Sequence, residues 1–291
     1  MRRSAAVCMV VVAVAFCACG SLPVTTDFSF PNFALKNWHK FPADQVPRPI
    51  VRLTSQPHPD APGVFSSTAA EAAFYCNTFT SRGGSLPSDV PTEAHASWKF
   101  GTTVTYASIS AADAAAALAS RPNPYSSPDC KNVAPVVLTS ARLGSAQFDT
   151  DRGPAEMTAW FFTLSGSTGE LPFPAIASSA FWDTAEGIKF GSGGAFVSKD
   201  GMSLLWTFIG APTQGRCSSG YKTTFKETST AIAIKVQETS SPPGDCILDL
   251  FGGAPRSVSV SLASPLGGRV VVDDEGMPGG VSPIQPWQVP N

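Results

Sequence analysis

Histidine is nearly absent from this chain: three occur in 291 residues, His39, His58 and His95. Nucleophilic hydrolysis, as by a Ser/His/Asp triad, needs a base beside the nucleophile. His39 and His58 lie in Pro-rich stretches and His95 lies just ahead of a strand-like segment, which reads as three surface histidines. No Gly-x-Ser-x-Gly elbow occurs either. The same scarcity, with no Cys-x-x-Cys spacing, argues against a zinc site. Charge is low: Asp, Glu, Lys and Arg make up 14%, well under the usual quarter. Gly191-Ser192-Gly193-Gly194 lacks the following Lys-Ser/Thr of a phosphate loop. The uncharged apolar run from Ala5 to Ala18 has 14 residues, short of the roughly 20 that span a bilayer.

That short run is informative for what surrounds it. Arg2-Arg3 precedes it, and it ends in Phe16-Cys17-Ala18 with Cys19-Gly20-Ser21 directly after. A basic start, an apolar stretch and a small residue before the cut make an export signal. A cysteine placed directly after the small residue resembles the lipobox of bacterial lipoproteins, although Cys17 and Phe16 replace the usual small residue and Leu upstream. In that family the thiol takes a diacylglyceryl group and becomes the new N-terminus. The expectation is a signal at 1–18, lipidation at Cys19 and a body held at the outer face of the membrane. Two acyl chains hold firmly where one holds weakly, because each buried methylene contributes about 0.8 kcal/mol. Loss of residues 1–18 leaves 18 basic against 22 acidic residues, a formal charge of −4. Such a balance gives no footprint for nucleic acid, and none for anionic lipid headgroups.

Beyond the signal, four cysteines remain: Cys76, Cys130, Cys217 and Cys246. An even number in an oxidising compartment implies two disulfides, for which three pairings exist. Cys76–Cys130 and Cys217–Cys246 keep each bond within one region of the chain. Each bond contributes about 4 kcal/mol by loop closure.

The body reads as α+β, mainly β. Residues 19–49 carry Pro23, Pro31, Pro42, Pro47 and Pro49, as a semi-rigid tether would. Phe28, Phe30, Phe33, Trp38 and Phe41 are unusual in a free tether, so docking in a groove of the body stands as the alternative. Residues 50–132 form a small α+β unit: Ile50–Leu53 as a strand, a helix from Thr68 to Tyr75 capped by Ser67 or Thr68, a strand from Trp98 to Ile109, and a helix capped by Ser110 and ending at Ser120. Residues 133–275 read as a β-rich domain, an antiparallel sandwich or open sheet. Its strands are Val136–Leu143, Ala146–Phe148, Met157–Leu164, Phe173–Ala177, Ala195–Val197, Leu204–Ile209, Tyr221–Glu227, Ala231–Gln237, Ser257–Leu262 and Arg269–Val272, with a hairpin through Asp200-Gly201. Residues 276–291 are Pro/Gly-rich and read as a flexible tail.

The stretches 136–165 and 200–275 carry Ala141-Arg142-Leu143-Gly144, Thr150-Asp151-Arg152-Gly153-Pro154 and Ala159-Trp160. Later come Asp200-Gly201, Phe208-Ile209-Gly210, Cys217, Tyr221, Glu227, Val236, Cys246 and Pro265-Leu266-Gly267-Gly268-Arg269. In order and spacing this half of the chain resembles exported lipoproteins of the high-GC Gram-positive type. The resemblance implies an envelope lipoprotein with a Cys217–Cys246 bond, and it brings no activity and no catalytic residues.

Several side-chain groups remain. Ser219-Gly220-Tyr221-Lys222 matches Ser-x-x-Lys, but it enters a strand and has no companion motif. Asp149, Asp151 and Glu156 cluster, as do Asp273, Asp274 and Glu275, with Arg142 and Arg152 as basic partners nearby. Carboxylate pairs serve glycoside cleavage or calcium, yet turns favour Asp for backbone reasons alone. Trp98, Tyr106, Trp160, Trp182, Trp206 and Tyr221 could stack on sugars, but their strand positions point to core packing. The expectation is a non-catalytic envelope module with no cofactor and no metal, meeting an envelope protein or glycan. The alternative is an envelope hydrolase using the turn carboxylates.

Overall fold

The computed structural model describes residues 32–53, 65, 67–81, 86–99, 101, 103–121, 128–182, 193–212, 214–215, 217–240 and 253–283. The signal at 1–18, Cys19, His58 and Cys246 lie outside the described residues. In chain order the elements are α1 (Asn32–Leu35), α2 (Thr68–Tyr75), β1 (Phe79–Ser81), β2 (Ala94–Trp98), β3 (Thr103–Tyr106), α3 (Ala111–Ala119), β4 (Val136–Thr150), β5 (Gly153–Leu164) and β6 (Glu170–Pro174). There follow β7 (Gly194–Val197), β8 (Ser203–Gly210), β9 (Tyr221–Glu227), β10 (Ala231–Glu238), β11 (Ala254–Ser261), β12 (Val270–Val272) and β13 (Gly280–Pro283). The class is α+β with strands dominant.

The first sheet runs β1-β4-β5-β2-β3, with β6 also on β5. The β4–β5 hairpin is its spine, paired from Leu138↔Leu164 to Thr150↔Gly153. The other edge of β5 is shared: β2 takes residues 155–157 and β6 takes 159–163. The two helices start where their caps predict, with the Ser67 hydroxyl accepting from Ala70 N–H and the Ser110 hydroxyl from Asp113 N–H. Their small Ala faces sit over the far half of the sheet against Trp160, Phe162 and Leu164. The near half buries the opposite face of β5, where Ala155, Met157 and Ala159 meet Ile50, Trp98 and Phe148.

The second half is a sandwich. A three-stranded sheet, β12-β10-β9, lies on a four-stranded one, β11-β8-β7-β13. The alternation along β10 decides what each face meets. Ile232 and Ile234 enter the sandwich core with Leu204, Trp206 and Val260. Ala231 and Ala233, one residue out of phase, face the other way and leave room for Trp38 and Phe41. Both faces of the first half of β10, residues 231–234, are therefore covered, and Val270, Val271 and Val272 of β12 are all buried for the same reason.

Residues 32–53 form a strap that joins the halves. Of the two readings for 19–49, the part from Asn32 onward is docked. Ala34, Trp38 and Phe41 are each at most 1% exposed, and the Trp38 indole N–H donates to Gly276 O at 2.9 Å. Ile50–Leu53 does not form a strand of its own; it makes isolated bridges from Ile50 to Phe181 and from Arg52 to Thr150.

Other expectations change with tertiary pairing. The boundary at 132/133 falls inside a sheet, because β1, β2 and β3 pair into the same layer as β4 and β5. The sheets are mixed rather than antiparallel: β1–β4, β10–β12 and β13–β7 are parallel. The segment Trp98–Ile109 is not one strand. Trp98 ends β2 and the chain turns back as β3, pairing His95 with Thr105. The two strands Val136–Leu143 and Ala146–Phe148 are one. The expected tail at 276–291 is structured as far as Pro283, since β13 pairs with β7.

Trp38→Ala removes a fully buried indole and should cost about 3–5 kcal/mol of stability in urea unfolding. A loss within about 0.5 kcal/mol, the range of ordinary surface changes, would show that the strap is not part of the cooperative body.

Candidate functional site

A buried polar network lies where the strap, the first sheet and the sandwich meet. Arg48 is its hub. Its guanidinium donates to Asp151 Oδ2 and to Gly268 O, each at 2.5 Å, and lies 4.7 Å from the Phe41 ring centroid. Its carbonyl accepts from the Tyr106 hydroxyl at 3.1 Å. Asp151 is 1% exposed at its side chain. Its second oxygen accepts from Val51 N–H at 3.2 Å, while its backbone bonds Val51 on one side and Val281 on the other.

Neighbouring residues complete the junction. Arg152 stacks over Trp98 at 3.8 Å and reaches the Tyr106 hydroxyl at 3.5 Å. The Trp98 indole donates to the Thr150 hydroxyl, which in turn donates to Gly153 O. Gly153 sits at φ +83°, and a Cβ there would meet Ser282 Oγ at 2.8 Å. A side chain at Gly268 would collide with the Ala43 carbonyl. These two glycines let strap, hairpin and β13 approach closely.

The carboxylates expected to pair do not meet in a catalytic pair. Asp151 is committed to Arg48. Asp149 is exposed, and Glu156 accepts from the Ser145 hydroxyl on the open face of the sheet. Asp273 holds its own turn, accepting from Glu275 N–H at 3.0 Å and Met277 N–H at 2.9 Å. Asp274 and Glu275 point to solvent. Neither expected basic partner serves these acids: Arg142 pairs with Glu170, and Arg152 stacks on Trp98. Among the described residues no group of His, Cys, Asp and Glu is placed to hold a metal ion.

His95 sits between Thr105 Oγ1 at 3.1 Å and Glu93 Oε2 at 3.4 Å. The order nucleophile, base, acid is present. All three are on an open surface, Thr105 exposed and His95 with 44% and Glu93 with 60% of the side chain exposed, with no pocket walls among the described residues to hold a substrate or exclude water from them. The Ser-x-x-Lys match places buried Ser219 before β9 and exposed Lys222 on it, in a strand and not at a helix start. Trp98, Tyr106, Trp160 and Trp206 are core residues. Trp182 and Tyr221 are half-buried, the latter packed on Phe208 at 5.0 Å and under Arg256 at 4.9 Å.

Cys76 and Cys130 form a disulfide, Cα atoms 5.4 Å apart, tying the end of α2 to the turn before β4. Cys217 is also disulfide-bonded.

No protein family, curated protein or solved structure matches the chain. The residues that carry the lipoprotein resemblance are mostly fold-holding groups here. Asp151, Arg152, Gly153 and Gly268 build the junction. Arg269 is buried and pairs with Glu227 at 2.7 Å while donating to the carbonyls of Ser264, Pro265 and Leu266. The Tyr221 hydroxyl accepts from Ala211 N–H beside Gly210. Arg48, the hub, stands outside that set; its position between Pro47 and Pro49 in a supposed tether gave no sign of its partners.

Arg48→Met and Asp151→Asn should each cost about 3–5 kcal/mol, because each strands a buried charge. The double variant should cost clearly less than the sum in urea unfolding; strict additivity would show that the two groups do not act on each other. A second expectation concerns pH. Burial pushes the Asp273 carboxyl up, against its two backbone N–H bonds, with like charge from Asp274 and Glu275 adding to the rise. An acid raised in the folded state stabilises the fold when protonated, fully so below the unfolded carboxylate range, and loses that contribution as pH rises through its folded value. Asp273→Asn keeps the acceptor without the charge. It should equal or exceed the parent in stability at neutral pH, with the advantage shrinking on acidification. An advantage that grows as pH falls would refute this assignment.

Proposed function

We propose that the chain is an exported lipoprotein, anchored through diacylglyceryl-Cys19 at the outer face of the cell membrane, whose β-rich body is a non-catalytic binding or envelope-structural module. The observation that carries this reading is Arg2-Arg3, the apolar run and Ala18-Cys19 in register at one place. The Cys76–Cys130 disulfide supports it, because such bonds persist in oxidising compartments. Among the described residues no helix is long and apolar enough to cross a membrane, so the reading rests the anchorage on the lipid. Cys246 is the partner proposed for Cys217.

The interior charges support a structural role for the body. Asp151 and Arg269 have all their strong partners inside the chain, and Asp273 braces its own turn. The turn carboxylates that motivated a hydrolase are thus occupied or apart. An envelope protein or glycan is the partner class proposed for the exposed surface.

Mass spectrometry of peptides from the native protein tests this. The expected N-terminal peptide begins at Cys19 and carries the diacylglyceryl mass, and Cys217 is linked to Cys246. An unmodified Cys19, or a mature start elsewhere, overturns the anchor.

A further inference from the structure

The lysines of this chain are not spread evenly. Five of the nine, Lys36, Lys40, Lys222, Lys226 and Lys235, fall on the strap or on the sheet face beneath it. The register shows why. Lys226 is opposite Ala233, Lys235 opposite Thr224 and Lys222 opposite Gln237. All three lysines therefore share the face of β9 and β10 that carries Ala231 and Ala233, the face on which the strap packs. The Lys226 ammonium donates to Asn32 Oδ1 at 3.3 Å, which fixes it beside the first residue of α1. On α1, Phe33 is 56% exposed although Ala34 and Leu35 next to it are buried. The Lys36 ammonium lies 4.3 Å from the Phe33 ring centroid. An exposed ring beside a cluster of ammonium groups is the arrangement that seats at a bilayer interface: the ring enters the headgroup boundary and the lysines meet phosphate.

The position in the chain points the same way. Asn32 follows Cys19 by 13 residues, which reach at most about 45 Å when fully extended. On the anchored reading, the part of the body first met from the membrane is therefore α1. The exposed acids nearby are Asp44 on the strap, Glu238 at the end of β10 on its opposite face, and Asp274 and Glu275, in the turn that packs on Ala34. Asp274 and Glu275 follow β12, which borders β10 on the edge away from β9, so the lysine side is the one that faces down.

We propose that the α1–β9 surface is a second membrane contact, with Phe33 seated among the headgroups of an anionic bilayer and the five lysines against its phosphates. It rests on the anchored reading for its biological sense and sets how the body stands, with the strap toward the bilayer.

The test uses the whole mature chain with Cys19→Ser, so that lipidation plays no part. Cosedimentation is measured with vesicles of phosphatidylglycerol and phosphatidylcholine, and with phosphatidylcholine alone. Binding should be several-fold stronger to the anionic vesicles and should fall with added salt, since exposed charges are screened. Each lysine at the surface is worth about fivefold in partitioning. K222E/K226E should therefore lower anionic binding by more than tenfold, the milder K222Q/K226Q should lower it less, and Phe33→Ser should weaken it without removing the salt dependence. Thermal melts confirm that each variant folds. Equal binding to both vesicle types, or anionic binding unchanged in K222E/K226E and K222Q/K226Q, overturns the proposal. So does a dimer in light scattering that Phe33→Ser dissolves with no effect on vesicles, which would assign the surface to a second copy. An unmodified Cys19 in the native protein would remove the anchor and leave this vesicle result standing, so the two failures are distinguishable.

Discussion

The contact between Arg48 and Asp151 sets the alignment of the whole molecule. Asp151 sits in the β4–β5 turn, its backbone bonded to Val51 of the strap and to Val281 of β13. Arg48 adds the Gly268 carbonyl from the far side of the sandwich. Four segments far apart in sequence thus converge on one carboxylate and one guanidinium. A buried pair of this kind adds little net stability over an apolar pair of equal volume. Its effect is on alternatives: any register that slides the strap or rotates the sandwich leaves a charge in the interior with no partner. Apolar packing alone would tolerate such slips more readily, because it is not directional.

Around this pair the chain uses residues that permit close approach. Ala231 and Ala233 leave depth for Trp38 and Phe41, and Gly153 and Gly268 let backbone meet backbone. Gly153 and Gly268 also belong to the residues on which the sequence resembles exported lipoproteins.

Charge follows a similar logic. Taken over the chain the balance is mildly acidic, which argues against any anionic partner. The fold gathers lysines from residue 36 and from residues near 230 onto one side, next to the only large apolar ring that α1 leaves exposed. Net charge is a sum over the chain and carries no information about where its members meet in space.

The sequence by itself determined the mainly-β class, both capped helices, the Asp200-Gly201 hairpin and the sensible pairing of Cys76 with Cys130. Each of these is encoded within a few residues by periodicity, capping or turn chemistry, or by cysteine count. Only the tertiary structure decided that 32–49 is a docked strap, that β13 continues the sandwich beyond the expected tail, that the first sheet crosses the 132/133 boundary, and that Asp151 answers to Arg48 and not to its neighbour Arg152. Those features depend on pairings between residues far apart in the chain, from Phe79 with Val136 and Gly280 with Gly194 to Arg48 with Asp151 and Trp38 with Gly276. Local pattern cannot encode them, since a strand's alternation states which face is buried and leaves open what will cover it.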